Sequence, residues 1–465
     1  MAAAGAQDLT SRVAAGGELP LDATVRYTLD VTRLPTEVKA LHLVGNGATL
    51  EVTDAPAKPG TVSFTDCTFE GVVFTAPSFT NPKIPIAGYG NARNTFRGCT
   101  FLDYAPSIVY QHGRGLLFEK NRVIASDHPP EAMQSNLFCP LGDFVFQQNE
   151  MNFPPGGPPL KGATGILVGA SGPASAGQEF SNWRIRDNRF LDADRPGYCI
   201  DTIVDVEAGR GSMRDIRVER NICFNGKVDV NSGDDVWVTD NRWRITKNHV
   251  PKQGAQASLL YIIATGASEV GSIHIERNVY VQDADAPATT RAQAVLVVPQ
   301  VRVKELVIKD NTFVVNGGGV PPFPNGVVGL HLRPEADAGV GMERIEISGN
   351  SFGFSALPAQ PGPLIVVNNP APAPGRGFGS VTVTNNRLLA GTTLEGGPAL
   401  VGGPLLAHFL RVGSPANTVS VAELTLTGNS VAAGTVAGKW LITPPSGATI
   451  QRSTVQGNTP ALKGD

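Results

Sequence analysis

Residues 234–245 read DDVWVTDNRWRI, and residues 214–224 read RDIRVERNICF. Both carry one frame: apolar, any, apolar, any, any, Asn, any, apolar, with the key residues Asn241 and Asn221. The frame recurs at Asn121, Asn149, Asn188, Asn278, Asn311, Asn350, Asn386 and Asn429, and in decayed form at Asn458. Two earlier copies, VSFTDCTF and NTFRGCTF, carry Cys67 and Cys99 at the Asn position. Successive key positions lie 20 to 43 residues apart, and self-similarity at such a period marks a solenoid.

The frame has a physical reading. IRV and VWV alternate apolar and polar residues, as a half-buried strand does. Two residues later the Asn sits where the chain turns, and Asn tolerates the left-handed conformation there. Stacked copies place each Asn over the last, as an amide ladder inside the bend. Helical repeats need apolar residues at a spacing of about 3.6, which these Val-, Ile-, Thr- and Phe-rich segments lack. Most copies are followed by a second apolar run, such as CIDTIVDVE from Cys199 and VVGLHL from Val327. The expectation is an all-β, right-handed parallel β-helix of about thirteen coils, roughly 60 Å long at ~4.8 Å per coil.

Composition agrees with a turn-rich rod: 53 Gly and 36 Pro in 465 residues, with 7% aromatics. The 38 basic and 41 acidic residues leave a net charge of −3, which points to no nucleic-acid partner. No apolar run is long enough for a transmembrane helix, so no membrane insertion is expected. Five cysteines, an odd count, speak against a disulfide framework. Cys67 and Cys99, read at one repeat position, predict either a stacked crosslink or two buried thiols.

The organisation reads as an N-terminal cap over 1–20, a β-helix body over 21–352, and charge-poor coils over 353–465. AQDLTSRVAA, with Leu9 and Val13 at i, i+4, predicts a short amphipathic helix that closes the open end of the core. The N-terminus has neither a basic region nor a long apolar region of a secretory signal. Residues 353–465 hold only nine charged residues; that depletion fits either intersubunit packing or a low-complexity surface.

On its Asn-ended coils and short cap, the chain resembles the pectin-lyase-like superfamily of parallel β-helices, including phage tailspikes and head spikes of phage-like particles. The resemblance implies a long flat face suited to an extended glycan. It does not extend to the hydrolase motifs. Of the polygalacturonase-type set, only an Asp-Asp pair, Asp234 and Asp235, is present, at a position where turn carboxylates are ordinary. The epimerase Asp-Pro-His motif is echoed in altered order by Asp127, His128 and Pro129.

The candidate site comes from GYCIDTIVDVEAG. Alternation puts Ile200, Thr202, Val204 and Val206 on one face and Asp201, Asp205 and Glu207 on the other. Same-face neighbours lie ~6.5–7 Å apart in a strand, a separation that suits inverting hydrolysis. Asp205 and Glu207 are therefore the candidate catalytic acid and base. Asp201, and Asp229 in the next coil, are candidate substrate contacts, flanked by Arg195 and Arg210. His331 and Arg333 alternate outward in a later coil. The competing reading is a solvated acidic stripe. Trp183, Trp243, Tyr198 and Tyr261 are candidates for stacking on sugars, although Trp183 and Trp243 occupy core positions of the frame.

Two function classes follow. One is a spike, expected as a homotrimer on a virion or phage-like particle, with a particle attachment protein as a further partner. It is made in the cytoplasm without a signal peptide and grips a cell-surface polysaccharide, capsular or exopolysaccharide, with or without cutting it. The other is a secreted polysaccharide lyase or glycoside hydrolase. No cofactor and no metal is expected.

Overall fold

The computed structural model describes residues 5–53, 62–75, 92–102, 109–111, 113–124, 137–139, 141–152, 167–168, 177–190, 202–206, 212–230, 233–249, 260–262, 269–299, 301–319, 326–332, 341–369, 377–394, 397–414, 419–443 and 448–462. The chain winds as an all-β parallel β-helix. Sheet I has fifteen strands, from Gln7–Asp8 to Ser430–Val431, and sheet II has fifteen, from Gly17–Pro20 to Ala448–Gln456. Sheet III has eight, from Thr202–Val206 to Leu441–Ile442, and a three-stranded sheet over Val109–Gln111, Leu137–Cys139 and Leu167–Val168 lies before it in the chain. Among the described residues all strand pairs are parallel, as in Ile216↔Val236↔Ile273 of sheet II.

One coil shows the plan. Strand Ser212–Glu219 lies in sheet II, the chain turns at Asn221, Ile222–Phe224 lies in sheet I, Lys227–Val230 in sheet III, and Asp234–Thr239 returns to sheet II. Alternation sends Ile216, Val218, Val236 and Val238 inward, where each is at most 1% exposed. Phenylalanines fill the core where strands are short: Phe69 stacks on Phe96 at 4.7 Å and Phe118 on Phe146 at 5.1 Å. The fifteen strands of each long sheet exceed the thirteen coils expected, because the first coils carry no Asn frame. Fourteen steps of ~4.8 Å make the rod about 70 Å long. Strand Ser351–Ala356 runs across the start of the charge-poor coils, so they share their sheets with the body.

Helix Thr10–Ala15 closes the N-terminal end, with Leu9 and Val13 at most 1% exposed over the core. Asp8 accepts from the Thr10 backbone N–H at 2.9 Å and the Thr10 hydroxyl at 2.6 Å, and pairs with Arg33 at 2.8 Å. Those hydrogen bonds hold its carboxyl at about 2.

The Asn residues form the ladder. Asn188 Oδ1 accepts from both the backbone N–H (3.0 Å) and Nδ2 (2.9 Å) of Asn149, while Asn188 Nδ2 donates to the Phe146 carbonyl at 2.9 Å. The pattern repeats through Asn221, Asn241, Asn278, Asn311, Asn350, Asn386 and Asn429 to Asn458. From Asn121 to Asn429 each is at most 2% exposed. Buried amides are costly unless bonded, and here every Asn from Asn149 to Asn429 uses both ends.

Two expectations need correction. The left-handed residue is the one before the Asn: Lys120, Gln148, Asp187, Arg220, Asp240, Arg277 and Asp310 all have φ between 52° and 57°. That twist turns the following Asn inward, and its cost of about 1–2 kcal/mol per residue is offset by inter-coil bonds such as Arg220 N–H to the Thr239 carbonyl at 3.1 Å. Cys67 also does not occupy the ladder position. Register places it level with Asn94, whereas Cys99 is level with Asn121, whose Oδ1 accepts its N–H at 2.8 Å. Cys67 belongs to a second bend, where Asn94 Oδ1 accepts its N–H at 3.0 Å. Both cysteines are buried and free, and burial pushes the Cys99 thiol up to about 12. They share no stack, so no crosslink joins them.

Candidate functional site

The residues expected to form an acidic stripe fall in sheet III. Asp201, Glu207, Arg195, Arg210, Arg333 and Tyr198 lie outside the described residues. Asp205, on strand Thr202–Val206, is in register with Asp229 one coil on, and the file continues through Tyr261, Leu296, Gly329, Val366 and Arg411. Val228 and Val230 are 0% exposed, so Asp229 does sit on the side away from the core. That side is not open, however: Asp229 is 7% exposed, and Leu296 and Val366 are 0% exposed. His331 is likewise only 8% exposed and contacts Asn368 Nδ2 through its Nδ1 at 3.4 Å. Alternation along a strand decides which side a residue takes; it says nothing about what packs over that side. Asp229 and His331 are therefore corrected from open-face residues to covered ones.

The open polar face belongs to sheet II and is built from the residue between the two apolar positions of the frame. In successive coils this residue is Arg184, Arg217, Trp237 and His274. Trp237 and His274 stack at 3.8 Å with 3° between their planes, and the Arg217 guanidinium lies 5.4 Å from the Trp237 ring. The indole is thus flanked by Arg217 in the coil before and His274 in the coil after. A file of left-handed residues runs beside them, including Asn182, Asp215 and Asp235 with φ of 54–57°. This local twist aims the carboxylates sideways. Arg184 grips Asp215 at 2.8 and 3.0 Å; Arg217 holds Asp235 at 2.9 Å; Trp237 Nε1 donates to Asp235 at 2.5 Å. Burial raises the Asp235 carboxyl, but the bonds from Arg217 and Trp237 outweigh it and hold it below the usual carboxylate range.

Further along, His274 Nδ1 lies 3.4 Å from Glu276 and its Nε2 4.0 Å from Glu305, which pairs with Arg344 at 2.7 Å. From Arg184 to Glu346 the line crosses six strands of sheet II, about 24 Å at ~4.8 Å per step. It presents guanidinium and ring N–H groups paired with carboxylates, interrupted at the buried Val307, and most are partly exposed. The Asp234–Asp235 pair is structural here: Asp235 serves Arg217 and Trp237, and Asp234 accepts the Ser272 N–H at 3.2 Å. Trp183 and Trp243 are 0% and 2% exposed, so neither offers a face to a ligand. The sequence signal for the line was present as the variable letter of the frame, in WRI, IRV, VWV and IHI.

Among the described residues no group of three His, Cys, Asp or Glu is placed to hold a metal ion, and no helix is long and apolar enough to cross a membrane. No protein-family model, curated protein or solved structure matches the chain.

Proposed function

We propose that the protein recognises an extended cell-surface polysaccharide along its rod, as a spike of the tailspike or head-spike type within the pectin-lyase-like group. The observation that carries this reading is the sheet II line from Arg184 to Glu346, where five of six successive coils present a polar or aromatic side chain, most of them beside a carboxylate. A sugar residue is about as long as one ~4.8 Å coil step, so successive coils address successive sugars. Sugar hydroxyls both give and accept hydrogen bonds, and charge-assisted bonds from this line are the stronger kind. The test is incubation with a panel of capsular and exopolysaccharides, scored for retention and for new reducing or unsaturated ends. Retention lost in Trp237→Ala supports the reading; retention unchanged in that variant removes the line from it.

In the bond-breaking version, Asp205 and Glu207 supply the acid and base. Asp205→Asn with Glu207→Gln then abolishes new ends while leaving the folded rod intact. The spike reading also assigns the charge-poor coils to a homotrimer contact. A monomer mass by light scattering at micromolar concentration overturns that assignment.

A further inference from the structure

The outer side of sheet I is covered at one end and open at the other. Toward the C-terminal end, residues 389–394 and 397–401 lie over it. Leu389, Leu394 and Leu400 pack on Val281 and Val314, which are 7% and 0% exposed. Leu400 sits so close that a Cβ at Gly353 would lie 2.8 Å from its methyl group. On the N-terminal side this cover stops at Leu394 and Gly397, which end a groove of about 700 Å³.

The groove floor continues the covered face. Ile222, Arg242, Val279 and Thr312 occupy one file in successive coils, and Phe224 and Arg244 lie in the next file. Ile222 and Val279 are each 37% exposed. Arg242 stands exposed between them and has no side-chain hydrogen bond or ion pair among the described residues. Arg189 lies 5.6 Å from the Phe224 ring, and Arg244 is held by Asp283 at 2.9 Å. Among the described residues no carboxylate lines the groove, and Thr312 supplies the one side-chain hydroxyl.

This chemistry differs from that of sheet II. A neutral glycan can accept from guanidinium groups, but its hydroxyl protons also need acceptors, and the described floor offers guanidinium donors and branched aliphatic groups. What fits is an acceptor-rich anion with an aliphatic body. The neighbouring coils show its form, because there a leucine-bearing peptide strap already lies on the same face. We propose that the open groove docks an extended segment of a partner protein that alternates aliphatic and acidic residues. Its aliphatic side chains fill the space over Ile222 and Val279, and a carboxylate pairs with Arg242.

The test uses three synthetic octapeptides, alternating Leu–Glu, Leu–Lys and Ser–Glu, titrated calorimetrically into the full chain. The expected order is binding by Leu–Glu, at least tenfold weaker binding by Ser–Glu, and none by Leu–Lys. Arg242→Glu, an exposed change, is expected to weaken Leu–Glu at least tenfold and to admit Leu–Lys. Val279→Asp is expected to weaken Leu–Glu by a similar factor, and serves if the first variant fails to fold. Equal binding of Leu–Glu and Ser–Glu, or binding indifferent to both variants, overturns the proposal. So does Arg242-dependent binding of dodecanoate or of a tetraglucuronide in the absence of peptide binding, which would assign the groove to a lipid or a glycan.

Discussion

The same frame writes two files that run the length of the rod, and they behave in opposite ways. Its sixth position is Asn in almost every coil, buried, with both ends of the amide bonded to neighbouring coils. Its second position, in the strand before the bend, is Arg, Arg, Trp, His, Val and Glu over six coils, half-buried except at Val307 and bonded mostly through charged partners. The inner file repeats because its environment repeats: each Asn meets the Asn before and after it and one carbonyl. The outer file varies because solvent accepts many side chains there. A solenoid thus separates its stability from its chemistry on alternate sides of one strand, and the variable side is where a ligand is read.

The comparison breaks if mutating the two files has similar effects. Asn241→Leu deprives the Asn221 N–H and Nδ2 of their acceptor and the Val218 carbonyl of a donor. A loss of roughly 3 kcal/mol is expected, seen as a lower urea midpoint. Asn458→Leu, at the partly exposed end of the ladder, is expected to cost about 1 kcal/mol or less; equal losses at the two sites would mean the ladder is not stabilised by stacking. Trp237→Ala is expected to cost about 1 kcal/mol of packing with Arg217 and His274 while abolishing glycan retention. Acidification gives the smallest effect. The Asp235 carboxyl is lowered in the folded chain, so its contribution is complete above the usual carboxylate value and fades as pH falls below it. The ladder contains no titrating group, so the Asn241→Leu penalty should be the same at pH 7 and pH 4, measured by urea unfolding, while that of Asp235→Asn shrinks. A similar fading at Asp8, held at about 2, should loosen the N-terminal helix in hydrogen exchange before the rod itself opens.

Much of this was legible in the sequence because a buried polar residue at a fixed place in a repeat has few other uses. The Asn frame located the strands, the bend and the interior, and Leu9 with Val13 located the cap. Cys67 was misread because the rod has two bends of similar build, each a left-handed residue followed by a buried one. FTDCTF and FRGCTF spell them alike, and only register with Asn94 or Asn121 separates them. The burial of Asp229 has a different cause. Asp229 is on the side that alternation assigns, but whether that side is open depends on what packs over it, which no local pattern reports. The sheet II line was readable letter by letter, yet its meaning lies in pairings between coils, such as Arg217 with Asp235, that depend on coil lengths of twenty to forty residues.

The ladder also bears on how the rod ages. Asparagine degrades when the backbone nitrogen that follows it attacks the side-chain carbonyl, a slow reaction that favours loose Asn–Gly pairs. In the ladder that nitrogen is engaged: Arg189 N–H is bonded to the Asn149 carbonyl, Ile222 N–H to Asn188 and Arg242 N–H to Asn221, each at 2.8 Å. The attacked amide is equally fixed, and no ladder Asn from Asn121 to Asn458 precedes a glycine. Chemical wear is thereby directed to sites such as Asn46–Gly47, outside the stack. The feature that joins the coils also removes a clock from them, and a rod of this kind can outlast the cell that made it.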